Sequence, residues 1–140
     1  MSRSGYSEDY DDENFPNATW LYQANVERSM KGKRGQQFFV DLIAALDAMS
    51  EKRLVADDLI RPSGEVCALG ALALSKGIAV EGVDPDDART VAARFKISEC
   101  LAREVVFQND EAGWDYKGKD ETPEQRWTRI RNWAGKQILT

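Results

Sequence analysis

Phe39, Leu42, Ile43 and Leu46 stand at i, i+3, i+4 and i+7, and Met49 extends the row. A strand would scatter these side chains over both faces, whereas a helix of 3.6 residues per turn gathers them into one apolar stripe. The spacing predicts a central core helix over about 36–49. Burying each of its large side chains is worth roughly 1.5–3 kcal/mol, so the chain must supply a second apolar surface to cover them. The segment Gly64-Glu65-Val66-Cys67-Ala68-Leu69-Gly70-Ala71-Leu72-Ala73-Leu74, which follows a Pro62-Ser63-Gly64 turn, is the best candidate. Its small residues Ala68, Gly70, Ala71 and Ala73 suit close packing against the 39–46 stripe.

The rest of the chain reads as further helices. Tyr22, Val26 and Met30 predict a helix over about 19–30, broken by Lys31-Gly32-Lys33-Arg34-Gly35. Two glycines and three cations there suit a helix end and a turn. A helix over about 67–76 carries Leu69, Leu72 and Ala73 and stops at Gly77, where a left-handed residue belongs. Asp84-Pro85-Asp86-Asp87 places a cap, then proline at the first helical position, then acids in the first turn, and opens a helix to about 95. A helix over about 98–109 carries Leu101, Val105 and Val106. Thr122-Pro123-Glu124-Gln125 is a capping box that opens the last helix, to about 138, with Trp127, Ile130, Ala134 and Ile138 inward. The fold class expected is mainly α, a compact bundle of five or six helices with at most one short β-hairpin around residues 57–67.

A chain of 140 residues has the size of one domain. Residues 1–16 read as an acidic, flexible tail and 17–140 as a single helical domain. No apolar run is long enough to span a bilayer, and the first residues lack the apolar core of a signal peptide. The cysteines, Cys67 and Cys100, sit in apolar patterns and behave as small hydrophobes. These features together predict a cytoplasmic protein.

The chain contains no histidine. That removes the Ser-His-Asp triad, the Cys-His dyad and any histidine general base. Two cysteines without histidine cannot build a four-ligand zinc site in one chain. A Cys67 nucleophile would need a helix N-terminus or a cation to activate it, and the adjacent Glu65 acts the other way. Asp57-Asp58 could ligate a hard cation, but Asp84-Pro85-Asp86-Asp87 lacks EF-hand spacing and is better explained by capping. No cofactor, metal or catalytic residue is therefore expected, and an enzyme is the less favoured reading.

Three groups of residues stand out as candidate sites. Trp114 and Tyr116, large side chains in the loop-like segment 113–120, join Asp11, Asp12 and Glu13 of the acidic tail as a candidate partner interface. Cys67, Asn109 and Asp110 form a candidate polar or ligand site. Asp110 and Glu111 oppose the dipole of the helix they end, so a cation such as Arg103 or Lys96 should offset them. Lys31, Lys33 and Arg34 are candidate phosphate contacts, and a nucleic-acid surface would add Arg126, Arg129 and Arg131. The net charge of −5 weighs against bulk nucleic-acid binding.

The order of these segments resembles a family. A Lys31-Gly32-Lys33-Arg34-Gly35-Gln36 turn leads through Leu42, Ala44, Ala45, Leu46 and Asp47 to Glu65-Val66-Cys67-Ala68-Leu69-Gly70. Asn109-Asp110-Glu111 and the Thr122-Pro123-Glu124 helix follow. This is similar to small proteins of bacteriophages and prophages that carry a Cys-Ala-Leu-Gly or Cys-Cys-Leu-Gly segment and a downstream Asn-Asp pair. The resemblance covers the chain from about residue 20 onward and implies a phage accessory product in a bacterial cytoplasm, without a mechanism. The function expected is macromolecular binding with a host or phage protein as partner, inhibition of a host defence protein being one version. The alternatives are an enzyme or small-ligand binder centred on Cys67 and Asn109/Asp110, a minor virion component, and a nucleic-acid-binding protein. Unplaced tryptophans on helical surfaces leave a homodimer open.

Overall fold

A computed structural model describes residues 18–112 and 121–139, with side chains from Leu21 onward. Six helices lie in these residues: α1 (Ala18–Lys31), α2 (Lys33–Ala48), α3 (Ala68–Lys76), α4 (Ala88–Phe95), α5 (Glu99–Asp110) and α6 (Pro123–Gln137). The expected all-α architecture holds. Among the described residues no strand forms, and the expected hairpin reduces to one antiparallel bridge between Ile60 and Val66.

α2 is the centre of the bundle, packing against α1, α3 and α6, while α5 lies against α1, α3, α4 and α6. Phe39, Leu42 and Leu46 are fully enclosed, as the stripe requires. The Phe39 ring meets the Trp133 ring edge-on at 5.3 Å, which joins α2 to α6. α2 ends where Lys52 folds back to donate to the carbonyls of Asp47 and Met49 and sits over the Trp127 ring. A cation at a helix C-terminus answers both the orphan carbonyls and the dipole.

Several local expectations hold in atomic detail. Thr122 and Gln125 form the reciprocal capping box of α6. Gly77 ends α3 with φ 70°. Three differ. The residues between α1 and α2 shrink to Gly32 alone, because Gly35 lets α2 press against α1. A Cβ on Gly35 would stand 2.0 Å from the Ser29 carbonyl oxygen. Asp84 does not cap α4. Its carboxylate instead accepts from the Asp86 N–H to make a tight turn, and Asp87 caps the helix through the Thr90 N–H and hydroxyl. The close approach at Gly70 serves a different neighbour from the one expected. Although α3 does pack on α2, a Cβ on Gly70 would meet the Leu59 carbonyl oxygen at 1.9 Å, in the 59–67 turn.

Candidate functional site

Cys67, Asn109 and Asp110 come together at the C-terminal end of α5. Cys67 is the N-cap of α3, and its sulfur accepts the Gly70 N–H at 3.4 Å. The Asn109 side-chain oxygen accepts the next orphan donor, Ala68 N–H, at 3.0 Å. Its amide nitrogen donates to the Val55 carbonyl at 2.9 Å and to Asp110 Oδ1 at 2.7 Å. Asp110 Oδ1 also accepts the backbone N–H of Asp57, which holds a left-handed φ of 74°. One amide thus joins α5, α3 and the 54–57 segment, and these bonds are made in the protein interior, where an unmade one would cost about 1–3 kcal/mol.

This convergence is closed. Cys67 is buried, with Ala68, Leu69 and Val66 buried beside it. Burial pushes its thiol up to about 12; the charge of Asp110 adds to the rise and the Gly70 N–H opposes it. The thiolate that a nucleophile needs is thus suppressed at neutral pH.

The cations that offset the acidic end of α5 come from α6 rather than from Arg103 or Lys96. Arg126 Nε donates to the Asn109 carbonyl at 2.8 Å and its Nη1 to the Leu54 carbonyl at 3.2 Å. Glu121 binds Arg126 at 3.3 Å and Arg129 through both carboxylate oxygens, at 2.6 and 2.9 Å. Arg126 and Glu121 are about nine-tenths buried in this triad, at 9% and 10% side-chain exposure. Sequence reading offered Arg126 and Arg129 as nucleic-acid contacts. They are instead internal braces, and Arg131 is held by Asp47 at 2.8 Å. Glu104, a buried residue that sequence reading did not single out, accepts from Gln108 on one oxygen while its other oxygen has no partner among the described residues.

The remaining basic candidates separate at the α1–α2 joint. Lys31 pairs with Glu27 at 3.3 Å. Lys33 and Arg34 make no ion pair among the described residues, and neither does Arg28, a residue that sequence reading missed. All three line a small cavity of about 240 Å³ together with Ser29, Gly32, Gly35, Ile97, Ser98 and Leu101.

A larger groove of about 510 Å³ lies at the other end of α2. Its floor is Ala45, Met49, Val55, Val66, Ala71 and Leu74, and Glu51, Arg53, Ser63 and Glu65 stand on its rim. Leu74 is 63% exposed, the most exposed large apolar side chain among the described residues. The candidate interface residues Asp11, Asp12, Glu13, Trp114 and Tyr116 lie outside the described residues. No helix of the described residues is long and apolar enough to cross a membrane.

No protein-family description, curated protein or solved structure matches this chain.

Proposed function

We propose that this chain is an accessory protein of a bacteriophage or prophage that acts by binding another protein, inhibition of a host protein being the version in view. The groove beside Leu74 carries this reading. An apolar floor opening to solvent through a 63% exposed leucine leaves hydrophobic area that a partner side chain would cover. The rim says what kind of side chain. Glu51 and Glu65 share the rim with a single guanidinium, Arg53, which Glu65 engages at 3.8 Å and Glu124 at 3.5 Å. Lys52, next to Arg53 in sequence, is turned under the end of α2. The groove therefore suits an apolar anchor flanked by lysine or arginine. The sealed Cys67 supports binding over nucleophilic chemistry.

Incorporation of a photo-crosslinking amino acid at Leu74 tests the reading in bacterial lysate. The expected product is one discrete heterologous adduct, competed by unlabelled wild-type protein and not by Leu74→Asp. Lack of any such adduct, an adduct with a second copy of the chain alone, or equal competition by Leu74→Asp would count against it.

A further inference from the structure

We infer that the cavity at the α1–α2 joint holds a single phosphate group, carried by a small phosphate ester or by the end of a nucleic-acid strand. In a protein of net charge −5, Arg28, Lys33 and Arg34 stand without a carboxylate partner among the described residues and converge on one cavity. Several other arginines do have carboxylate partners, Arg61 with Asp58, Arg126 and Arg129 with Glu121, and Arg131 with Asp47, while Arg94 donates to the Ala79 carbonyl. The inner wall adds hydroxyls. Ser98 Oγ donates to Ser29 Oγ at 2.9 Å, and the Cys100 sulfur lies 3.2 Å from Ser29 Oγ. The backbone reinforces the sign of the field. α2 begins at Gly32 with no side chain capping it, whereas α5 is capped by the Ser98 hydroxyl. Two of the competing carbonyls at the end of α1 are engaged, Arg28 O by the Gly32 N–H and Met30 O by the Gln36 side chain.

Size and charge choose the ligand. Water occupies about 30 Å³ in the liquid, so a cavity of about 240 Å³ has room for a phosphate with part of its hydration. A long polyanion would meet the acidic remainder of the surface, whereas one phosphate meets three cations. The site therefore reads the phosphate through Arg28, Lys33 and Arg34.

The test is a titration of the ¹⁵N-labelled full chain at low ionic strength with inorganic phosphate, followed by binding of labelled oligonucleotides with a 5′-phosphate or a 5′-hydroxyl. Saturable amide shifts confined to residues 28–35 and 97–101, and tighter binding of the 5′-phosphorylated strand, are expected. Inorganic phosphate shifts without strand discrimination would assign the site to a small ester. The Lys33→Gln/Arg34→Gln double variant should bind at least about tenfold more weakly, a loss of about 1.4 kcal/mol. Arg61→Gln, at the opposite end of α5, should leave binding unchanged, and all three proteins should melt alike. The inference fails if no saturable shift appears, if the shifts scatter over the surface, or if affinity grows with strand length regardless of the terminal group.

Discussion

Adding one methyl group at Gly70 and one at Gly135 should move stability in opposite directions. Both glycines lie inside helices, α3 and α6, where alanine is favoured by roughly 0.5–1 kcal/mol. At Gly135 the new Cβ meets only the end of the flexible Arg131 side chain, at 3.3 Å, which can give way. Gly135→Ala should therefore keep most of the propensity gain. At Gly70 the Cβ falls 1.9 Å from the Leu59 carbonyl oxygen and 3.1 Å from the Val66 Cβ. Reaching even a 3.0 Å contact means separating α3 and the 59–67 turn by about 1.1 Å (3.0 minus 1.9). The same carbonyl accepts the Cys67 N–H at 3.1 Å, so the shift strains a buried bond as well. Overpacking costs about 1–3 kcal/mol and a weakened bond about 1 more, against which the propensity gain is small. A net loss of about 1–3.5 kcal/mol follows once the propensity gain is subtracted. Urea unfolding followed by far-ultraviolet circular dichroism, at constant m, measures both variants. A Gly70→Ala protein within about 0.5 kcal/mol of wild type, or two glycine variants shifted in the same direction, would refute the reasoning.

Glu121→Gln removes the carboxylate shared by Arg126 and Arg129 and should cost about 2–4 kcal/mol in the same assay, toward the lower end because Arg129 is 25% exposed. Burial of Glu104 holds its carboxyl above the ordinary 4.5, with the Gln108 bond opposing weakly. The native state then keeps a proton that the unfolded chain releases, so this contribution is fully present below about pH 4.5 and is lost as pH rises through the raised value. Glu104→Gln should accordingly match wild type in acid and exceed it at about pH 8 in urea titrations at both pH values. With Cys67 sealed at a thiol pKa of about 12 and Cys100 half-buried, a thiol-reactive dye should label Cys100 in the native protein and reach Cys67 only at the rate of unfolding, as counted by mass spectrometry. Lys96 ends α4 at φ 58°, so Lys96→Gly should stabilise by about 0.5–1 kcal/mol, read as a higher melting temperature.

What could be read in the sequence follows the range of the forces involved. Helix stripes and caps are local, so the Phe39–Leu46 face, the Thr122 box and the Gly77 terminator are legible from spacing and residue type. Capping by Asp84 or by Asp87 satisfies the same local rule, and packing of α4 decides between them. The polar network is long-range. Beyond its neighbour Asp110, Asn109 bonds backbone atoms 41 and 54 residues away, which no side-chain pattern encodes, although the conflict of Asp110 and Glu111 with their helix dipole signals that something must offset them. The cations behave the same way. Lys31, Lys33, Arg34, Arg126, Arg129 and Arg131 look alike in sequence, and only their carboxylate partners separate them. Once Glu27, Glu121 and Asp47 have taken theirs, the unspent charge lies at Lys33 and Arg34. The one-residue joint at Gly32 then brings in Arg28, four positions upstream, because the Gly32 N–H bonds to the Arg28 carbonyl across the helix end. The basic cavity is thus a product of subtraction and of a tight joint, and for that reason its three cations can be removed without touching what holds the fold.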